Sequence, residues 1–181
     1  MEFLKTKFED AILIYPKIYT DKRGFFYETY RKNKFIENGI KAEFLQSNCS
    51  ISKKYVIRGL HYQINHPQGK LVRVTVGEIF DVIIDIRRDS STFGQHITTH
   101  LSSKNKYQLY VPIGFCHGFC VLSDVAEVNY FLTDYYSPES ERSIIWNDPT
   151  LNIKWPLPKG VTPELSEKDK NGTLFKDAEY F

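Results

Sequence analysis

The stretch Leu71-Val72-Arg73-Val74-Thr75-Val76-Gly77-Glu78-Ile79-Phe80-Asp81-Val82-Ile83-Ile84-Asp85-Ile86 decides the fold class. Apolar residues recur in it with a period of two, the spacing of a strand that turns one face to a core. Gly77 interrupts the run, which reads as two strands folded into a hairpin with the glycine at the turn. Outward from there the same punctuated pattern recurs at residues 11–15, 24–30, 95–101, 107–111, 119–122 and 125–133. Only 34–38, closed by Gly39, reads as a helix of more than a turn, and the chain from Pro156 onward reads as irregular. Tyr (12), Phe (13) and Trp (2) are abundant, and aromatic side chains favour pleated, half-buried surfaces. Many short strands separated by Gly and Pro imply an all-β jelly-roll sandwich or barrel with a few short helices, in one domain spanning 1–181.

Composition narrows the classes of function. The 24 basic and 22 acidic residues leave a formal charge of +2 and are scattered, so neither nucleic acid nor a membrane surface is implied as a partner. Cys49, Cys116 and Cys120 are odd in number and lack Cys-x-x-Cys spacing, which predicts free thiols in a reducing compartment. The first residues lack an apolar run of signal-peptide length and no stretch approaches a membrane span, so the expected location is the cytoplasm.

Chemistry concentrates between Arg58 and Arg73, where His61 and Lys70 stand nine residues apart. Histidine exchanges a proton near neutral pH, and a fixed ammonium stabilises an oxygen that gains negative charge, a pairing suited to proton abstraction beside a carbonyl. On the strand over 125–133, Val128, Tyr130 and Leu132 share a face, so Tyr130 is either a core tyrosine or a proton donor. Pro112-Ile113-Gly114-Phe115-Cys116-His117 has the Pro-x-Gly-x-x-His spacing of cupin barrels, in which the His commonly binds a metal. A metal needs about three converging ligands. The stretch His61-Tyr62-Gln63-Ile64-Asn65-His66 offers neither a second His two residues on nor a correctly spaced Glu, so no metal is expected and His117 reads as an anion or hydroxyl partner inside the pocket or as a buried structural His. Cys116 reads as small-residue packing rather than a nucleophile.

Taken together, Asp21-Lys22-Arg23-Gly24-Phe25-Phe26-Tyr27-Glu28, Gln46-Ser47-Asn48, Arg58-Gly59-Leu60-His61-Tyr62-Gln63, Gln68-Gly69-Lys70-Leu71-Val72-Arg73, Gly77 to Val82, Pro112 to Phe119, Tyr130 with Thr133 to Pro138, and Leu165-Ser166-Glu167-Lys168-Asp169 resemble the dTDP-4-dehydrorhamnose 3,5-epimerase family over nearly the whole chain. The resemblance implies a cupin-like jelly roll, a homodimer, no metal or organic cofactor, and a dTDP-sugar substrate inverted at C3 and C5 beside its 4-ketone, in dTDP-rhamnose synthesis. It implies His61 as base, Asp169 as the carboxylate orienting it, Lys70 on the C4 oxygen and Tyr130 as acid. Arg23, Glu28, Gln46, Asn48 and Arg58 match contacts to the nucleotide and diphosphate, while His117, Glu141 and Lys168 match the sugar side. Phe26 and Tyr136 would pack on the base or the sugar. Ser47, Cys49 and Cys116 depart from the residues common in relatives, leaving nucleotide and sugar identity open. A C3-only or C5-only epimerase and a non-catalytic jelly-roll carbohydrate-binding module are the alternatives.

Overall fold

The computed structural model describes residues 1–181. Its strands are β1 (Glu2–Lys5), β2 (Ile12–Tyr15), β3 (Ile18–Asp21), β4 (Gly24–Tyr27), β5 (Gln46–Lys53), β6 (Ile57–Gln63), β7 (Lys70–Val76), β8 (Glu78–Asp85), β9 (His96–Ser102), β10 (Gln108–Val111), β11 (Phe115–Val121), β12 (Val125–Leu132) and β13 (Glu141–Ser143). Two short α-helices, α1 (Lys32–Glu37) and α2 (Glu167–Lys170), and single 3-10 turns at Pro138–Ser140 and Phe175–Asp177 complete the regular structure. One sheet has the order β1-β2-β10-β7-β12-β5 and the other β13-β6-β11-β8-β9, with every strand pair antiparallel. Val72, Val74, Leu109, Val111 and Val128 from the first sheet pack against Ile79, Ile83, Leu101, Phe119 and Val121 from the second. This is the all-β sandwich expected from the strand pattern. No helix is long and apolar enough to cross a membrane.

The hairpin expected over 71–86 does not form. β7 pairs with β10 and β12, whereas β8 pairs with β11 and β9, so the chain changes sheets at Gly77. Alternation reports which faces are buried, not which strand lies alongside, and a one-residue joint lacks the two central residues of a tight hairpin. The near-continuous burial of β8 has the same origin. Its second face, with Val82 and Ile84, is covered by Ile144, Leu151 and Phe175 from the chain that follows β13. The region beyond Pro156, expected to be irregular, thus forms a lid on the five-stranded sheet and contains α2. The first helix starts at Lys32, two residues ahead of the expected start, and its Phe35 packs with Ile12, Ile14, Ile40 and Leu71 on the outer face of the six-stranded sheet.

The strands β3 and β4 pair only with each other. Tyr19, Phe25 and Phe26 stand exposed on this arm, Phe26 at 70%.

Gly77 sits at φ +77°, and a Cβ there would lie 2.1 Å from the Val125 carbonyl oxygen and 2.2 Å from Ser123 Oγ. Gly160 shares the left-handed conformation at φ +84° but faces open space. Gly160→Ala is therefore expected to cost only about 1 kcal/mol in urea unfolding, whereas Gly77→Ala, which must also part the joint between the sheets, is expected to cost roughly 3 kcal/mol or more. Equal losses would show that the close approach at Gly77 is unimportant.

Candidate active site

A cavity of about 580 Å³ opens between the sheets. Side chains reach it because strand residues two apart share a face. From the five-stranded sheet come Arg58, His61 and Gln63 of β6, His117 and Phe119 of β11, and Glu141 of β13. From the six-stranded sheet come Gln46 and Asn48 of β5, Lys70 of β7, and Tyr130 and Leu132 of β12. The register places Tyr130 opposite Asn48, and Leu132 opposite both Gln46 and Lys70. His61 and His117 face each other across β6 and β11. That pairing requires Gly59 and Gly118, since a Cβ on Gly59 would lie 2.5 Å from the Gly118 Cα.

The central contact joins His61 Nε2 to Asp169 Oδ1 at 2.6 Å. Asp169 is buried, and its Oδ2 accepts a hydrogen bond of 2.7 Å from Ser166 Oγ, the N-cap of α2, which in turn accepts from the Asp169 N–H. Burial pushes the Asp169 carboxyl upward, but the His61 imidazole against it and the hydrogen bonds from Ser166 and the Gly59 backbone prevail and hold it below the usual carboxylate range. A carboxylate so placed fixes the imidazole ring and stabilises its protonated form.

Lys70 is 8% exposed, and its Nζ donates to the His61 carbonyl oxygen at 3.2 Å. Burial draws its ammonium below the ordinary lysine range, while the nearby carboxylates of Asp81 and Glu141 pull it back toward the charged form. Beside it, His117 Nε2 lies 2.8 Å from Oδ2 of the fully buried Asp81. At the rim, Glu141 accepts from Lys168 Nζ at 2.6 Å and from the Tyr136 hydroxyl at 2.8 Å. These bonds, together with the charges of Lys168 and His61, outweigh its burial and keep its pKa low. Burial pushes the Cys116 thiol up to about 12, consistent with packing and not with nucleophilic chemistry. Nowhere do three His, Cys, Asp or Glu side chains converge as metal ligands would.

Of the residues singled out from sequence, His61, Lys70, Tyr130, Asp169, Gln46, Asn48, Arg58, His117, Tyr136, Glu141 and Lys168 all line this cavity. Arg23, Phe26 and Glu28 do not. Arg23 is exposed on the β3–β4 arm with its guanidinium 2.6 Å from Asp21, Phe26 projects from the same arm, and Glu28 is bonded to Arg31 and lies 3.6 Å from Lys34. Sequence reasoning missed Gln63, Gln68, Phe119 and Ser166 as lining residues. Each falls in a quoted motif, and a strand parity counted from His61 or His117 reaches Gln63 and Phe119.

The family profile of dTDP-4-dehydrorhamnose 3,5-epimerase matches residues 5–177. A Pseudomonas aeruginosa protein named dTDP-4-dehydrorhamnose 3,5-epimerase is 50% identical over 182 residues, covering 100% of this chain and 99% of that protein. A Neisseria gonorrhoeae protein of the same name is 52% identical over 179 residues; the alignment takes in 99% of this chain but 54% of that longer relative. A Legionella pneumophila dTDP-6-deoxy-D-glucose-3,5-epimerase, solved in complex with dTDP-4-keto-L-rhamnose, superposes with a TM-score of 0.94 at 48% identity over 98% of this chain and 94% of that one. Profile, near full-length identity and shared sandwich converge on one assignment: the chain belongs to the dTDP-4-dehydrorhamnose 3,5-epimerase family.

Proposed function

We propose that this epimerase converts dTDP-4-dehydro-6-deoxy-D-glucose to dTDP-4-dehydro-L-rhamnose, inverting C3 and C5, in the synthesis of dTDP-rhamnose. The observation that carries the reading is the entry of proton-transfer groups from opposite walls. His61 with Asp169 belongs to the five-stranded side and Tyr130 to the six-stranded side. Inversion at a carbon beside a ketone requires a proton to leave one face of the ring and another to arrive on the opposite face. His61 removes the C–H proton, and Asp169 steadies the imidazolium that results. The electron pair moves into the ring to form an enolate, whose C4 oxygen takes its negative charge against the Lys70 ammonium. Tyr130 delivers a proton to the other face as the enolate collapses to the ketone. Once His61 has released its proton and Tyr130 has taken one up from water, the ring presents its second carbon to the same pair of groups. The reading assigns every step to a side chain and asks for no metal or organic cofactor. In this reading His117, Glu141 and Lys168, which line the cavity, serve the sugar, Gln46, Asn48 and Arg58, which line it too, serve the nucleotide, and Tyr136 offers a stacking surface.

The active form in this reading is a homodimer. The β3–β4 arm leaves aromatic side chains in water and holds Arg23 and Phe26 away from their own cavity. A second copy is the occupant that accounts for both facts, because an arm exchanged between copies adds Arg23, Phe26 and Glu28 to the partner's cavity while burying its aromatic face. The unpaired cysteines, one exposed and two buried, suit a reducing cytoplasm.

Incubation with dTDP-4-keto-6-deoxyglucose in D₂O, followed by NMR, is expected to place deuterium at both C3 and C5, with rates falling at least about 10²-fold in His61→Ala and Tyr130→Phe. Exchange at one carbon would favour the single-carbon epimerase, and none would remove the catalytic reading. The cation on Lys70 also sets a pH limit. With its pKa lowered by burial, neutral lysine appears at lower pH than in water, so the alkaline fall in kcat should begin below 10.5 and be displaced upward in Lys70→Arg. An unchanged limb in that variant would assign the limit elsewhere.

The arm is tested by mixing. Arg23→Ala and His61→Ala chains, each inactive alone, should recover about a quarter of wild-type activity when co-refolded, because half the dimers are mixed and each mixed dimer holds one intact site. No recovery would place Arg23 and His61 in the same chain's site or outside it.

A further inference from the structure

We infer that Gln63 is a positioning residue that fixes Tyr136 at the cavity mouth and thereby sets affinity for the nucleotide; the inference rests on the dTDP-sugar reading above. Residues 134–137 follow β12 and belong to no strand, yet each is tied through its backbone to a glutamine side chain. Gln68 Nε2 donates to the Asp134 carbonyl at 2.9 Å, and Gln63 Nε2 donates to the Tyr135 carbonyl at 3.2 Å. Gln46 Oε1 accepts from the Tyr136 N–H at 2.9 Å, and Gln63 Oε1 accepts from the Ser137 N–H at 2.9 Å. Gln63 also donates to the His66 carbonyl at 2.6 Å, so one amide ties the loop between β6 and β7 to the segment that follows β12.

Gln63 is 4% exposed, and both of its amide hydrogens are spent on protein carbonyls. A side chain so saturated is built to hold neighbours, not to recognise a ligand. What it holds is Tyr136, half in solvent, with its hydroxyl on Glu141 and its ring free. An aromatic ring that is already immobile loses little conformational freedom when a base or sugar stacks on it, and that freedom is what a loose loop would forfeit on binding. Gln63 lies two residues from His61 on β6, so one strand fixes both the base and the rim.

The test is calorimetric titration of dTDP, which lacks the keto sugar, into wild type, Gln63→Glu, Tyr136→Ala and the double variant. Gln63→Glu keeps the shape but sets a carboxylate oxygen against two carbonyl oxygens, which should free the segment. Roughly tenfold weaker dTDP binding is expected, with KM for the sugar nucleotide rising in step and kcat little changed. In the Tyr136→Ala background the same substitution should cost less than about twofold, since its effect passes through that ring. Wild-type-like dTDP affinity in a folded Gln63→Glu protein, or losses that multiply in the double variant, would overturn the inference. Should Gln63→Glu not fold, Gln68→Leu severs the neighbouring bond to Asp134; weaker dTDP binding there supports the clamp and unchanged binding overturns it. Wild type that fails to bind dTDP at all sinks the nucleotide-sugar reading itself, and the clamp with it.

Discussion

The active cavity depends on the contact between His61 and Asp169, because it fixes the base, and Asp169 comes from the far end of the chain. It rides on α2, a helix of four residues that could not persist alone. The Ser166 cap holds the first turn. Parallel bridges from Val56 to Glu164 and from Ile144 to Thr173 tie the flanking chain to the sheet, and Phe175, Tyr180 and Phe181 seal it against Tyr62, Val82 and Ile84. The Tyr62 hydroxyl adds a hydrogen bond to the Glu179 carbonyl. The terminal segment therefore does two things at once: it covers the outer face of the five-stranded sheet, and it carries the carboxylate to the back of the imidazole.

Burial gives that arrangement its electrostatic force. Lys70 is inside the protein, where charge interactions are stronger than in water and where an unpaired ammonium would be costly. Asp81 and Glu141 supply the opposing charge, yet its one hydrogen bond in this structure is to a backbone carbonyl, leaving two N–H donors for an oxygen that becomes anionic. Asp81 Oδ2 meets His117, and Glu141 accepts from Lys168 and Tyr136; neither carboxylate lies at hydrogen-bond or ion-pair range of the ammonium. The site is thus polarised before a substrate arrives.

Strand character and inward parity were legible in the chain, since alternation around Tyr130 and along 71–86 is a local property. Pairing was not, because the partner of a strand is chosen by the whole sandwich; Gly77 looks like a hairpin turn until the Val125 carbonyl and Ser123 are brought against it. β5 is the converse case. Its residues Gln46 to Lys53 are too polar to signal a strand, and it forms as an edge paired with β12 alone, placing Gln46 and Asn48 inward. The catalytic set was legible only through resemblance, since nothing local links Asp169 to His61 across more than a hundred residues. Arg23, Phe26 and Glu28, named through the same resemblance, lie outside this chain's cavity.

The departures at Ser47, Cys49 and Cys116 take on a different meaning once parity is known. Ser47 and Cys49 alternate with Gln46 and Asn48 along β5 and face away from the cavity, and Cys116 alternates with His117 and packs with Leu60, Tyr62 and Ile84 behind the sheet. None lines the cavity, so within this chain they leave the substrate's immediate surroundings unaltered. Choice between C3 and C5 then cannot lie in the proton-transfer groups, which serve either carbon, nor in these positions. On the proposed mechanism it lies in how the ring is held over His61, a task for the sugar side of the rim, where the Lys168 side chain is exposed. On that mechanism the sheet walls carry the chemistry while the rim sets the pose, a division that lets regiochemistry change without any change in the proton-transfer groups.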